Sequence, residues 1–352
     1  MIFHRSFIVT LIVLLAASAL FCQDIMFPAD TGGLWGYIDS TGSMVIKPQY
    51  IQVGNFSDGI AFVKKGVLSE EEFTFINAVG YINKKNEFKK ISAIFQGLDK
   101  GEEFREGRAA VRKRGVGIFS QSRWGFIDTS FNMVIPPAHT RVGNFSEGLA
   151  WYEDKETFLF LVISEEYGYI DMQGTVVIKG DFENAGNFSE GLANITVHGK
   201  KGFLDKNGEI IIEPVYESVG KFSNGLAPVK LDGKWGFINS KDSLLIPIVY
   251  EDVRSFSEGV ALVKYSGKWG FINLLGEFII SPQFTQAGNF SEGLAPVLLT
   301  DKWGFIDAEG NTVIEPQFDY AYGFRGGFSM VESDKMFGYI NHSGQYIWRQ
   351  YY

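Results

Sequence analysis

One five-residue block, Trp-Gly-Phe-Ile followed by Asp or Asn, recurs down the whole 352-residue chain and limits its fold more than any other feature. It begins at Trp35, Val79, Trp124, Tyr167, Lys201, Trp235, Trp269, Trp303 and Phe337, and from Tyr167 onward the starts are 34 residues apart. The first three spacings are 44, 45 and 43. A second block, Asn-Phe-Ser-Glu-Gly-Leu-Ala, follows 21 residues later in most units, with its ring at Phe56, Phe145, Phe188, Phe222, Phe256, Phe290 and Phe324. In the second unit Phe104 is displaced by four residues. Two blocks in a common phase mean nine copies of one supersecondary unit, each too small to bury its apolar faces alone.

Three units carry the fullest form of the first block: Lys234-Trp235-Gly236-Phe237-Ile238, Lys268-Trp269-Gly270-Phe271-Ile272 and Lys302-Trp303-Gly304-Phe305-Ile306. These residues resemble the WG-repeat family, named for the Trp-Gly pair, and the resemblance covers essentially everything after residue 22. It implies a repeat fold and brings no activity or catalytic residue with it.

Within a unit, Leu226 to Leu231 reads as a strand, Asp232-Gly233 as a hairpin turn and Trp235 to Asn239 as a second strand. Alternation puts Trp235 and Phe237 on one face and Ile238 on the other, so both faces are apolar. Asp or Asn then closes a turn three residues before a Gly, as in Asp39/Gly42, Asp205/Gly208 and Asn341/Gly344. A third strand follows, with Pro48, Pro137, Pro214, Pro282 or Pro316 near its end, which predicts that it stops there or lies at an edge. An aromatic two residues later (Tyr50, Phe182, Tyr216, Phe284, Phe318) is expected to pin the crossover to the next unit. The 41 Gly and 32 Phe fit such turns and packed rings. The expected fold is all-β: nine three-stranded meanders in an open, curved superhelix. A closed propeller is the alternative, and its usual four to eight four-stranded blades match nine three-stranded units poorly.

The chain divides into a leader at 1–22, units one to three at 23–166 and six regular units at 167–352. Units one to three lengthen the hairpin between first and second strands by about ten, seven and nine residues. The insertions carry Ser69-Glu70-Glu71-Glu72, Arg112-Lys113-Arg114 and Glu153-Asp154-Lys155-Glu156. They read either as a charged binding rim or as solvated hairpin tips.

His4 and Arg5 precede a 15-residue apolar run, Phe7 to Phe21, that is short for a membrane helix. It reads as a secretory signal cleaved after Ala19 or after Cys22, which predicts an exported protein in the periplasm or at the cell surface. Cys22, the only cysteine, is also a candidate lipid-anchor site, although bulky Phe21 precedes it. Without residues 1–22 the formal charge moves from −9 to −10, which disfavours nucleic acid as a partner.

No catalytic, cofactor-binding or metal-binding residue is assigned, and no enzyme activity is expected. His139 takes a slot that holds Tyr or Phe in sister units and is expected to be a packed ring, while His198 and His342 fall in separate turns. Stacked units could align Asp58, Glu106, Glu147, Glu190, Glu258 and Glu292, or Asp39, Asp128, Asp171, Asp205 and Asp307, into ladders that bind Ca²⁺ or hydrolyse a substrate. Exchange with Asn at Asn83, Asn224, Asn239, Asn273 and Asn341 favours turn capping, which needs oxygen and no charge. Trp35, Trp124, Trp235, Trp269 and Trp303 read as core indoles packed over the space that Gly leaves, with a sugar-stacking groove as the rival reading. The function expected from these features is a non-enzymatic protein-interaction surface, with glycan binding as the alternative and a carboxylate hydrolase third.

Overall fold

The computed structural model describes residues 26–68, 75–94, 96–116, 121–158 and 161–351. The expected signal segment, Cys22 and Ser69–Glu72 lie outside the described residues. Nine antiparallel sheets follow one another along the chain, each built from one contiguous stretch. We number them as blades 1 to 9: 27–50, 52–90, 98–139, 141–180, 184–216, 218–250, 252–284, 295–318 and 320–351. Blade 6 shows the standard form, a meander of Ser218–Val219, Leu226–Leu231, Lys234–Asn239 and Leu244–Tyr250. A single helical turn, Ile91–Ile94, interrupts the β structure after blade 2.

Alternation works as the sequence dictates. Phe237 packs with Phe256, Ala261 and Val263 of blade 7, whereas Ile238 packs with Phe203, Ile212 and Phe222 on the side of blade 5. Both apolar faces of a blade therefore face neighbouring blades. Each core cluster sits between two consecutive blades. An open row of nine blades has eight such interfaces, and the described residues form nine clusters. The ninth joins Phe27, Ala29 and Ile38 of blade 1 to Phe328 and Tyr339 of blade 9, with the Phe27 and Phe328 rings 5.1 Å apart, edge to face.

A hydrogen bond marks the same joint. Where the first block carries Tyr, its hydroxyl donates to a carbonyl of the next blade: Tyr37 to Gly54 (2.7 Å), Tyr81 to Glu102 (2.9 Å) and Tyr169 to Gly186 (2.8 Å). Tyr339 donates to Pro28 at 2.9 Å, 311 residues away, so blade 9 treats blade 1 as its successor. Burial pushes the Tyr339 hydroxyl up to about 12, so it remains a donor across the ordinary pH range.

The expected open superhelix is thus replaced by a closed nine-bladed propeller. The error has a physical source. The segment expected to be a crossover supplies a fourth strand of only two residues in six blades, such as Ser218–Val219 or Asp252–Val253, too short to show any periodicity. Proline does not end the third strand. Leu244–Tyr250 runs past Pro247's position in the repeat, and Ile210–Tyr216 runs two residues beyond Pro214, because this strand lies at the sheet edge and bulges there.

 The bulge explains the Trp-Gly pair. A Cβ on Gly202 would lie 2.3 Å from the Ile212 carbonyl oxygen, and one on Gly236 would lie 2.6 Å from that of Ile246. The edge strand's backbone fills the space above glycine, which corrects the expectation that the indole packs there.

The second block stitches the blades together. Its Ser-Glu-Gly forms a tight turn with positive φ at Glu and Gly, as at Glu190 (55°) and Gly191 (82°). The Ser hydroxyl donates to the next blade's Phe carbonyl: Ser189 to Phe222 (2.8 Å), Ser223 to Phe256 (2.7 Å). The Glu carboxylate accepts from the next blade's turn amides, Glu190 from Asn224 and Gly225, both at 2.8 Å. Equivalent clamps start at Asp58 in blade 2 and end at Glu292, which accepts from Gly326 and Gly327 in blade 9.

Candidate functional site

The clamp settles what the repeated carboxylates do. First-block oxygens close their own turns, with Asp205 accepting from the Asn207 and Glu209 amides at 2.9 Å and Asn239 doing the same for Lys241 and Ser243. Second-block oxygens cap the following blade's turn instead, a partner that spacing within one unit does not reveal. Among the described residues, no group of three or more His, Cys, Asp or Glu is placed to hold a metal ion.

The histidines lie apart. His139 is buried against the Tyr152 ring, 4.5 Å between centroids, in the aromatic slot predicted for it. His198 sits in a hairpin turn at φ 49°, and His342 stacks on Phe324 at 4.2 Å.

Blades 2 to 4 depart from the repeat. Blade 2 extends its hairpin through Ile60–Leu68 and Phe75–Asn83, and blade 4 through Leu149–Phe158 and Leu161–Asp171. Four of the charges expected on this rim, Arg112, Glu153, Asp154 and Lys155, are used internally. Arg112 makes a two-point ion pair with Asp99 at 2.9 and 3.0 Å. Glu153 is buried and accepts from Arg141 (3.1 Å) and Lys155 (3.3 Å), which meets the requirement that a buried charge be paired. Asp154 binds His139 Nδ1 at 2.9 Å and the Thr140 amide at 3.0 Å. Burial pushes the Asp154 carboxyl up, but His139, Thr140 and Arg123 outweigh it and hold it below the usual range. Beside the exposed Glu156, Ser164 and Glu165, the blade 4 ribbon leaves three consecutive aliphatics in solvent: Leu161 is 70 % exposed, Val162 52 % and Ile163 62 %.

Beside this network, a cleft of about 390 Å³ crosses the edges of blades 3 and 4 and reaches Asn187 of blade 5. Its origin lies in one repeat position, the residue paired with the first-block aromatic. Pro228 faces Phe237 there, Leu262 faces Phe271, Ala110 faces Phe126 and Trp151 faces Tyr169. Ala110 leaves room that Leu or Pro fills elsewhere, and Trp151 in the next blade supplies a wall. Trp124 forms another wall, with Lys100 Nζ 5.3 Å from its ring, and Arg141 lies 5.8 Å from the Trp151 ring. Lys100 also pairs with Glu102 at 2.7 Å. Nothing in the sequence alone marks this cleft, because it needs blades 3 and 4 placed side by side.

The other repeat indoles pack at the joints between blades. Trp303 is buried, and Trp35, Trp235 and Trp269 are half-buried against the core clusters. Lys230 lies 6.0 Å from the Trp235 ring, and Arg254 5.8 Å from that of Trp269. They therefore work mainly as core, as expected.

Similar folds exist among solved structures. A crystal structure of a eukaryotic initiation factor aligns over 93 % of this chain and 95 % of its own, at 10 % identity and a TM-score of 0.61, a likeness of fold alone. AztD from Citrobacter koseri aligns over 82 % of this chain and 92 % of its own, at 11 % identity and a TM-score of 0.41. No curated protein sequence matches the chain. The description of a WG-containing repeat matches it eight times, at 35–66, 80–116, 124–156, 167–200, 202–235, 235–269, 269–303 and 303–336. With repeat, spacing and blade in agreement over most of its length, the chain belongs to the WG-repeat family.

Proposed function

We propose that this chain is a non-enzymatic binding propeller, exported to the periplasm or cell surface, that holds a protein partner on the long hairpins of blades 2 to 4. The observation that carries the reading is the end of the blade 4 ribbon, where Leu161, Val162 and Ile163 stand in solvent. Consecutive exposed aliphatics are costly unless something covers them, and an anchor of this kind is where interface energy concentrates. The paired charges below, Glu153 with Arg141 and Lys155, hold the ribbon's base and reduce the ordering that binding would require.

The test is to replace residues 155–165 with the two-residue turn Asp232-Gly233, keeping the Asp154↔Glu166 pair that matches Leu231↔Lys234, and compare cross-linked partners in native cells. The reading expects a partner captured by the full chain and lost on trimming. Equal capture by both forms contradicts it. Glycan binding, the alternative, finds support at one place, the cleft walled by Trp124 and Trp151.

A further inference from the structure

From the cleft between blades 3 and 4 we infer that it is a subsite for an acidic saccharide, one pyranose unit bearing a carboxylate. This rests on the glycan reading of that cleft and is independent of the hairpins.

The lining decides the chemistry. At about 390 Å³ the cleft falls within the range of small-ligand sites, but its surface is more polar than apolar, unlike the pockets that take apolar ligands. A sugar ring has apolar C–H faces and a hydroxyl rim, and the cleft offers matching groups. Trp124 and Trp151 supply apolar walls, while Asn144 and Asn187 supply amides that donate and accept. Glu102 adds an acceptor for hydroxyls.

The charge points to an acid. Lys100 is held by Glu102 at 2.7 Å, but Arg141 gives only one Nη to Glu153 (3.1 Å) and its side chain stays 65 % exposed beside the cleft, although the chain as a whole carries a formal charge of −9. A guanidinium beside an indole recognises a carboxylate through paired N–H donors while the ring packs against the sugar. The site is also singular within the ring. At the joint between blades 6 and 7, Pro228 stands in the place of Ala110 and Asp252 in that of Arg141, which fills the space and reverses the charge.

The sister blades supply substitutions that the fold already accepts. Ala110→Leu copies Leu262 and should fill the cleft, Trp151→Leu removes a wall, and Arg141→Gln removes the cation. The probes are trigalacturonate and maltotriose, each titrated to about 10 mM and followed by tryptophan fluorescence and calorimetry, a range that captures affinities near 1 mM. Thermal melts check that each variant is folded.

The inference expects saturable binding of trigalacturonate, at least tenfold weaker binding of maltotriose, and loss of both with Ala110→Leu and with Trp151→Leu. Arg141→Gln should bring the two sugars within about threefold of each other, and salt should weaken the acidic sugar alone. Equal binding of both sugars by the unaltered protein overturns the acidic preference and leaves glycan binding standing. Binding of neither sugar, or unchanged binding by folded Ala110→Leu, overturns the site altogether.

Discussion

Blades 5 to 8 and blades 2 to 4 are built from the same blocks but use their polar residues differently. In blades 5 to 8 nearly every repeated polar side chain is spent on the ring: Glu190 clamps blade 6, Glu258 clamps blade 8, and Ser189 and Ser223 bond to the following blades. Hairpins there are two-residue turns such as Asp232-Gly233. In blades 2 to 4 the same clamps persist, from Asp58 to Gly107 and from Glu106 to Glu147 and Gly148. Above them stand long hairpins, an internal ion-pair network and the two-indole cleft. Ring-building and site-building are thus separable within one repeat, and departures from the repeat mark where the second begins.

The largest expected effect is on the shared core. Phe222→Ala in the regular region and Phe145→Ala in the irregular one each remove a ring paired edge to face with the preceding blade, at 4.9 and 4.8 Å. Each should cost about 3–5 kcal/mol in urea or thermal unfolding. A much smaller cost at Phe145 would mean that the joint between blades 3 and 4 is not part of a common core.

Next comes the glycine under the bulge. Gly236→Ala should cost roughly 2–3 kcal/mol, because the clash is with backbone that cannot turn aside. Full stability would mean that the edge strand does not bulge over the Trp-Gly pair.

The clamps should be weaker. Glu190→Ala frees two amides in the regular region and is expected to cost about 1 kcal/mol, whereas Asp58→Ala frees one and should cost less. The reverse order would show that the clamp's role differs between the two regions.

The irregular network adds a dependence on acid. Asp154 is held below its usual 3.8 in the folded chain, so its contribution is present above that value and is lost as the pH falls through the lower, folded one. Asp154→Asn should therefore reduce the difference in stability between about pH 5 and pH 3 relative to the unaltered chain. An unchanged difference would contradict this account of the network.

Much of this was legible in the sequence. Two-residue alternation in Trp235–Asn239 gave the faces of the central strand, the Asp-to-Gly spacing gave the turns, and the Tyr slot at His139 gave a packed ring. Closure was not legible, because it depends on Phe27 and Pro28 meeting Phe328 and Tyr339 some 311 residues away, a contact that no repeat spacing encodes. Gly326 carries a related signal. It stands where sister turns have Glu, Asp or Asn, and with no side chain it ends the series of clamps at blade 9, so the joint to blade 1 relies on Tyr339 and apolar packing. The cleft was hidden for another reason: the residues that form it are small or large only by comparison across blades that the fold brings together.

The central claim is that blade 9 meets blade 1 as blade 5 meets blade 6. Spin labels on cysteines at Thr41 and Ser343, both exposed turn positions of blades 1 and 9, can be compared with labels at the equivalent Asn207 and Lys241 of blades 5 and 6. Pulsed electron paramagnetic resonance on the two doubly labelled proteins, each lacking Cys22, reads both separations. A closed nine-bladed ring predicts the same short, narrow distance for both pairs. A long or broad distance for Thr41 and Ser343 beside a short one for Asn207 and Lys241 would show that the ring is open.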